Sequence, residues 1–319
     1  MLSIILSLLI VNANTNAGTA GFNFLKIIPS AKEAAMANAS IGLENTSSLS
    51  GFGFWCNPAA GVARPSFGMS YISYLAGISY GSIGYTKQAP MSFLKAGGIG
   101  VSFLNSGKIK RTDINGSELG TFSVSYLDLD AAGNIALMND KMNAGMAIKV
   151  IYGSIDSFMG LGIATDLGLR FKPDIQGLTI GAVVRNLGYQ VKAFDKVRDK
   201  LPLDIGVGVG YNVSNGFNIA MDIHALDITK DTVPFFKNIN NYVTFRLNLG
   251  VEAWVNKYVA LRGGYNSLGK DYRTGGTSDI TSGLSIGLGV KYSRYQVDYS
   301  FTPMGDLGRL HHITVLFGL

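Results

Sequence analysis

The sequence predicts an all-β protein whose strands cross a membrane. The stretch 243–255 (VTFRLNLGVEAWV) has an apolar residue at every odd position, whereas its even positions include Arg246 and Glu252. Because successive strand residues face opposite sides, one face is continuously apolar and the other carries charge. At about 3.4 Å per residue the strand extends roughly 44 Å, and a tilt of about 45° reduces this to roughly 31 Å, close to the thickness of a bilayer's hydrocarbon core.

Recurrence and composition support the same fold class. The alternation returns in 203–213, 217–225 and 284–292, and no run of 20 apolar residues is available for a transmembrane helix. The 41 glycines lie mostly at inward-facing positions, where a crowded wall favours a missing side chain. A large soluble sandwich or adhesin has a similar composition, but the strand length and the alternation argue against it.

The first residues predict export. Residues 2–11 form an apolar stretch too short to span a membrane, and small residues precede candidate cleavage points after Ala13 and Ala17. We therefore predict a signal peptide at 1–17, with a buried N-terminal strand as the alternative, because no Lys or Arg precedes the stretch. Cys56 is the only cysteine, which excludes an intrachain disulfide and favours a small buried hydrophobe.

Residues 18–66 predict a compact segment in place of strands. Ser30 and Glu33 form a capping-box pattern at the start of the alanine-rich stretch 31–39, which predicts a short helix. The sequence FWCNPA follows at 54–59 and is not typical of a strand.

The remaining sequence, 67–319, divides into fourteen strands, an even number as in bacterial outer-membrane barrels. Connections after strands three, seven, nine, eleven and thirteen are long, whereas those after the later even strands are short. This alternation predicts a 14-stranded antiparallel transmembrane β-barrel with both termini on the periplasmic side. The predicted strands are 67–74, 77–86, 95–104, 121–137, 141–153, 158–171, 177–187, 202–213, 216–226, 243–255, 258–266, 281–292, 294–301 and 310–319.

Several motifs resemble those of a known family. The chain contains 21–26 (GFNFLK), the alanine-rich 34–39, 55–59 (WCNPA) and, near its end, 299–308 (YSFTPMGDLG). These features resemble the PorV/PorQ family of outer-membrane proteins, which is similar to the FadL long-chain fatty-acid transporters. The resemblance implies that the segment 18–66, with its short helix, folds into the lumen of the barrel as a plug. The plug motif consists of Trp55, Asn57, Pro58 and Ala59.

Charged residues on the inward face allow two interpretations. In the structural one they form ion pairs between wall and plug, since buried charges need partners. In the functional one Arg246 or Arg185 contacts the carboxylate of an amphipathic ligand. The sequence leaves both open. The candidate lumen residues are Arg185, Arg246, Glu252 and Asp222.

No pattern in the sequence predicts catalysis, a metal site or a cofactor. His311 and His312 are strand neighbours that point to opposite faces, so they do not readily share a metal. Asp222 and His224 share a face, but no nucleophile motif such as G-x-S-x-G accompanies them. The glycines of 206–210 (GVGVG) continue a strand's alternation and are barrel wall, not a nucleotide-binding loop. We therefore predict that the chain is not an enzyme.

The net charge of +6 is spread over loops such as 108–111 and 192–200. It predicts attraction to anionic lipopolysaccharide at the external rim and not to nucleic acid. The expected location is the outer membrane of a Gram-negative-type bacterium, in contact with its lipid.

Two functions from different classes follow from the resemblance. The FadL similarity implies that the barrel binds or passes hydrophobic or amphipathic molecules such as fatty acids, with Gly97, Gly98 and Gly100 permitting a kink that opens the wall sideways. The PorV similarity implies a type IX secretion subunit that docks secreted cargo proteins at the cell surface. A housekeeping barrel with neither role is the third possibility.

Overall fold

The computed structural model describes residues 21–44, 49, 51–89, 94–138, 141–214, 216–226, 244–273, 275 and 277–319. Fourteen of the described strands close into a barrel in which all neighbours are antiparallel, so the predicted fold class is confirmed. The strands are β1 Ser66–Ser73, β2 Ser79–Gln88, β3 Ala96–Asn105, β4 Ile109–Thr112, β5 Glu118–Phe122, β6 Val124–Leu137, β7 Met142–Ile155, β8 Phe158–Phe171, β9 Leu178–Lys192, β10 Asp204–Ser214, β11 Phe217–Leu226, β12 Thr244–Trp254, β13 Val259–Asn266, β14 Leu284–Tyr292, β15 Tyr295–Pro303 and β16 Arg309–Gly318.

Two of these strands, β4 and β5, lie outside the barrel and form a hairpin between β3 and β6. The prediction of one strand over 121–137 therefore differs from the structure, in which the barrel strand begins at Val124. Apolar and polar residues alternate through Ser123, so periodicity alone does not separate the hairpin from the wall. An ion pair between Lys110 and Glu118 links the two hairpin strands.

Alternation gives the barrel an apolar outer face. On β14, the outward-facing Leu284, Ile286 and Val290 are 43%, 60% and 45% exposed, whereas the inward-facing Ser285 is 4% exposed. An apolar band around a whole barrel is unfavourable in water and favourable in a bilayer. The predicted location in the outer membrane is therefore confirmed. Among the described residues, no helix is long and apolar enough to cross a membrane.

The two ends of the barrel differ in the length of their connections. One end carries short turns, and β16 finishes there beside the start of β1. In outer-membrane barrels the short turns face the periplasm and the long loops face outward, so we name the two ends periplasmic and external. The short turns include 255–258 and 293–294, and the long connections include 106–123 and 193–203.

The segment before β1 lies inside the barrel and runs from the external end to the periplasmic end. The backbone nitrogen of Gly21 donates to the carbonyl oxygen of Lys200 at 2.9 Å, in the external connection after β9. Further along, the backbone nitrogen of Leu49 donates to Oε1 of Gln296 at 3.1 Å, near the periplasmic end. The end of β16 lies at the periplasmic end, as predicted. Gly21, the first described residue, lies at the external end because the segment traverses the lumen before β1 begins.

One helix of this segment begins as predicted, directly after Ser30, and covers Ala31–Ala35. The Ser30 side chain makes no capping hydrogen bond, so the predicted capping box does not form. Instead, the backbone nitrogen of Ala31 donates to Oγ1 of Thr314 on the wall at 2.8 Å. The barrel therefore supplies the acceptor that a helix start needs. The other helices of the segment are Asn23–Lys26, a 3-10 helix, and Gly53–Cys56, an α-helix.

Wall glycines lie where the segment approaches most closely. A Cβ atom at Gly250 would lie 2.8 Å from the carbonyl oxygen of Met36, and one at Gly208 would lie 2.8 Å from Cβ of Ile41. The crowding that the inward-facing glycines predicted is therefore contact with the N-terminal segment.

The predicted signal peptide at 1–17 lies outside the described residues. The division of the chain into that peptide, a plug at 18–66 and a barrel at 67–319 stays a prediction.

Replacing Gly168 with alanine is expected to displace the turn at 57–59 from the wall. A Cβ atom there would collide with Oδ1 of Asn57 and lie 2.9 Å from the backbone nitrogen of Ala59. Lys32 is 2% exposed in the folded protein. We expect trypsin to cleave after Lys32 about tenfold faster in the alanine variant than in the wild type. This factor corresponds to a loss of roughly 1.4 kcal/mol in the free energy of local opening.

The matched control is Gly162→Ala on the same face of β8, where a new Cβ has its nearest neighbours at 3.5 Å. If the Gly168→Ala and Gly162→Ala variants were cleaved at equal rates, and a heat-modifiability gel showed both barrels to be folded, the close packing of the 57–59 turn against Gly168 would be contradicted.

Candidate functional site

Arg185, a predicted ligand contact, is paired in the structure. It lies opposite Asp204 in the register of β9 and β10. Its Nε donates to Oδ2 of Asp204 at 3.0 Å, and Nδ1 of His224 lies 2.8 Å from Oδ1 of the same carboxylate. Because all three side chains are less than 9% exposed, Asp204 compensates a charge that would be costly to bury alone.

A β-bulge turns both Arg185 and Asn186 toward the lumen. At this point the register between β8 and β9 shifts, so that these two residues lie opposite Asp166 alone. Asn186 has a φ of 59°, which asparagine tolerates better than most residues. Its backbone nitrogen donates to Oδ1 of Asp166 at 2.7 Å, and its side chain accepts from Nζ of Lys149 at 3.0 Å. Sequence periodicity did not reveal this bulge.

Asp222, another predicted contact, holds the N-terminal segment. Its Oδ2 accepts hydrogen bonds from the backbone nitrogens of Ser40 at 2.7 Å and Ile41 at 3.0 Å. Asp222 is fully buried. Two charge-assisted bonds to the backbone fix this part of the segment against β11.

Glu252 belongs to a chain of charges across three strands. Nε of Arg262 donates to Oε2 of Glu252 at 2.7 Å, and Nη1 of Arg262 donates to Oδ1 of Asp298 at 2.7 Å. Nζ of Lys32, from the N-terminal segment, lies 3.8 Å from the same Glu252 oxygen. Arg246 is also buried, opposite His224 in the register of β11 and β12. The sequence did not single out Arg262 or Lys32, because their roles depend on strand register.

The 55–59 motif forms a tight turn against the wall. Asn57 is 1% exposed, and its Nδ2 donates to the carbonyl oxygens of Ile41 at 3.0 Å and Leu169 at 3.2 Å. Its Oδ1 accepts from the backbone nitrogen of Ala59 at 2.9 Å. Pro58 lies against the backbone of Gly145. The asparagine therefore links two parts of the segment to β8.

Trp55 and Phe54 occupy the space that glycines leave in β3. A Cβ atom at Gly98 or Gly100 would collide with the ring of Phe54 or Trp55, respectively. β3 pairs with β2 and β6 over its whole length without a register shift, so the wall is closed here. In this structure Gly98 and Gly100 receive aromatic rings, and the β3 glycines do not produce a kink.

Arg170 is a buried arginine that has no hydrogen-bond or ion-pair partner among the described residues. It is 4% exposed, and its Nε has no acceptor. Asn143, its partner in the register with β7, is 7% exposed and has an unpaired Oδ1. Two residues further along the inward row, Lys172 pairs with Glu44. These two residues line a cavity of about 400 Å³ that opens at the periplasmic end.

An apolar cluster fills the external part of the lumen. Phe24 stacks on Tyr126 with ring centroids 5.0 Å apart, and Phe22 lies 5.2 Å from the ring of Phe194. A water-filled porin has a polar interior, so this lining is suited to apolar molecules. We define the external cluster as Phe22, Phe24, Ile72, Tyr80, Leu104, Ile151, Ala164 and Leu201, with Leu25, Ile27, Tyr74, Ile78, Tyr126 and Phe194 packed against it.

The described part of the chain contains no group of three His, Cys, Asp or Glu residues that could hold a metal ion. Burial raises the pKa of the Cys56 thiol to about 12. Cys56 is therefore a neutral thiol inside the segment and fits its predicted role as a small buried hydrophobe.

Comparison with known proteins identifies the fold. No protein-family model and no curated protein matches the chain. The crystal structure of the Ralstonia pickettii toluene transporter TbuX matches with a TM-score of 0.60 and 12% identity, over 92% of this chain and 98% of that one. A Pseudomonas aeruginosa FadL homologue gives 0.57 and 9%, over 91% and 98%. A deletion mutant of the monoaromatic hydrocarbon channel TodX gives 0.55 and 13%, over 87% and 96%.

The chain therefore has the barrel fold of FadL-like proteins, as the resemblance implied. TbuX is described as a toluene transporter and TodX as a monoaromatic hydrocarbon channel.

Replacing Asp222 with alanine is expected to release the segment around Ser40. The backbone nitrogens of Ser40 and Ile41 would lose a charged acceptor, a change of roughly 1.5 to 3 kcal/mol. Hydrogen exchange at these two amides should accelerate by about tenfold or more. Asp222→Asn keeps an acceptor oxygen and should show a smaller change. Unchanged exchange in the alanine variant would show that Asp222 does not anchor the segment.

Proposed function

We propose that the chain is a PorV/PorQ-type outer-membrane protein that binds hydrophobic or amphipathic molecules and passes them across the membrane. The observation that carries the proposal is the external cluster, an apolar lining inside a membrane barrel at its external mouth. TbuX and TodX, which share the fold, are described as a toluene transporter and a monoaromatic hydrocarbon channel.

The energetics of the cluster favour an apolar ligand. Phe22, Phe24 and Ile151 are at most 5% exposed, so most of the cluster's surface is already removed from water. An apolar molecule that replaces the phenylalanine rings there keeps the same surface buried, whereas a polar molecule loses its hydration without gaining partners. Entry at this end thus selects for apolar chemistry.

Passage through the barrel requires movement of the segment that we propose as a plug, at 18–66. Its backbone lies against the wall at Gly210 and Gly250, where an added Cβ would lie 2.5 Å from the carbonyl oxygen of Gly42 and 2.8 Å from that of Met36. Its polar attachments to the wall are distributed along its length: Ala31 bonds to Thr314, Ser40 and Ile41 bond to Asp222, and Leu49 bonds to Gln296. Loss of these attachments would free the middle of the segment while the closed barrel stays intact.

An amphipathic ligand also needs a partner for its polar group, and Arg170 is suited to it. Arg185 and Asp222 stay candidates, but a ligand reaches them only by displacing Asp204 or the backbone of the segment. Arg170 has no such partner to displace, and it lies near the periplasmic cavity. A carboxylate there would give this buried guanidinium a charged hydrogen-bond acceptor.

External loops supply the surface that we propose for lipopolysaccharide. Lys108, Lys110 and Arg111 are exposed on or beside the β4–β5 hairpin at the external end. Cations at a leaflet surface attract anionic headgroups.

Replacing Phe24 with aspartate is expected to abolish binding of dodecanoate and dodecanol to the purified protein. The carboxylate places an unpaired charge among apolar side chains. Isothermal titration calorimetry provides the measurement, with Phe24→Leu as the conservative variant and Ile114→Asp, at a fully exposed external position, as the control. Unchanged affinity in the aspartate variant, or no binding by the wild-type protein, would refute the proposed function.

Replacing Arg170 with glutamine should weaken dodecanoate binding about tenfold to a hundredfold and leave dodecanol binding unchanged, because only the acid makes the charge-assisted bond. Lys141→Gln, which removes an exposed cation at the same end, is the control. Equal loss for acid and alcohol would exclude Arg170 as the carboxylate contact without affecting the wider proposal.

The alternative function is cargo docking in type IX secretion. The observation that favours it is the β4–β5 hairpin, where Ile114 and Leu119 are 101% and 64% exposed at the external end. Exposed apolar residues on a loop fit a protein partner. Pull-down of the C-terminal domain of a secreted cargo protein by the wild type, and its loss in I114D/L119D but not in F24D, would support docking. No capture by the wild type would exclude it.

A further inference from the structure

A patch of cations and aromatic rings lies on the outer face of the barrel at its periplasmic end. It combines the turns 255–258 and 293–294 with the end of β16. We propose that this patch binds the headgroup of an anionic phospholipid in the periplasmic leaflet. We define the girdle patch as Lys257, Tyr258, Tyr292, Arg294, Tyr295 and Phe317.

Backbone hydrogen bonds join the patch into one surface. The nitrogen of Lys291 donates to the carbonyl oxygen of Tyr258 at 2.7 Å, which connects the first turn to β14. The nitrogen of Gly318 donates to the carbonyl oxygen of Arg294 at 2.7 Å, which connects the second turn to β16. The two turns are two strand spacings apart, about 10 Å, so one headgroup with its glycerol can contact both.

Aromatic rings place the patch at the level of the membrane interface. The rings of Tyr258 and Tyr292 lie 6.2 Å apart, and those of Tyr295 and Phe317 lie 5.2 Å apart. The three tyrosines are 42%, 71% and 56% exposed on the outer face. Tyrosines on the outer face of a barrel occupy the boundary between acyl chains and headgroups.

The two cations of the patch are held against these rings. Nζ of Lys257 lies 4.9 Å from the ring centroid of Tyr258, and Cζ of Arg294 lies 5.7 Å from that of Phe317. Both side chains are exposed, and neither forms an ion pair with any residue that the structure describes. Stacking keeps the positive charges beside the membrane surface while leaving their hydrogen-bond donors available to a phosphate.

Within the described part of the chain, Lys257 and Arg294 lack an acidic partner, unlike other cations at the same end. The stretches 254–258 (WVNKY) and 291–295 (KYSRY) contain no aspartate or glutamate. By contrast, Lys172 pairs with Glu44, and Nζ of Lys141 lies 2.6 Å from Oδ1 of Asp174. Positive charge beside aromatic rings at a leaflet surface is complementary to an anionic phospholipid.

The test uses the full-length protein in neutral detergent with equal amounts of phosphatidylglycerol and phosphatidylcholine that carry identical acyl chains. Native mass spectrometry measures which lipid is retained. We expect the wild type to retain phosphatidylglycerol about tenfold over phosphatidylcholine, and K257Q/R294Q to retain both equally. The charge-matched control R273Q/R309Q, which removes two exposed external cations, should keep the wild-type ratio.

A conservative variant and a competitor sharpen the result. K257R/R294K keeps both charges and should keep the preference. The proposal would be overturned if K257Q/R294Q retained phosphatidylglycerol over phosphatidylcholine as strongly as the wild type does. It would also be overturned if the external control lost the preference for phosphatidylglycerol. Displacement of phosphatidylglycerol by millimolar glycerol 3-phosphate would also overturn it, because the patch would then recognise phosphate and not a lipid. A heat-modifiability gel confirms that each variant is folded.

Discussion

The structure depends on one constraint, that backbone groups inside a bilayer have no water to bond with. Fourteen strands satisfy it by closing, because β1 pairs with both β2 and β16 and leaves no open edge. Closure divides every strand into a lipid-facing and an inward-facing row of side chains. The outer row has to be apolar, so the polar and charged residues of the barrel are confined to the lumen.

The charged residues that face the lumen then determine how the N-terminal segment is held against the wall. A buried charge without a partner is costly, and the inward rows contain several. Some are paired within the wall, as Arg185 is with Asp204, and others bind the segment, as Asp222 does through two backbone nitrogens. Glu252 does both, through Arg262 and Lys32. The segment and the wall are thus mutually stabilising.

The lumen changes character along its axis. Apolar rings occupy the external end, ion pairs and backbone anchors the middle, and the buried guanidinium of Arg170 lies toward the periplasmic end. An amphipathic molecule meets these environments in the order in which its apolar tail and its acidic head need them. This arrangement underlies the passage of apolar and amphipathic molecules that we propose.

The sequence by itself determined the number of barrel strands, which face of each strand is apolar, and where the helix after Ser30 begins. Each of these features is encoded by alternation or composition within about ten residues. It also marked the inward face on which the charged residues lie. Only the tertiary structure decided the partners of those charges, the bulge that turns Asn186 inward, the hairpin outside the wall and the isolation of Arg170. The physical reason is that these features depend on contacts between residues far apart in the sequence. The contact of Ala31 with Thr314 joins residues 283 positions apart, and strand register, which no local pattern specifies, brings them together.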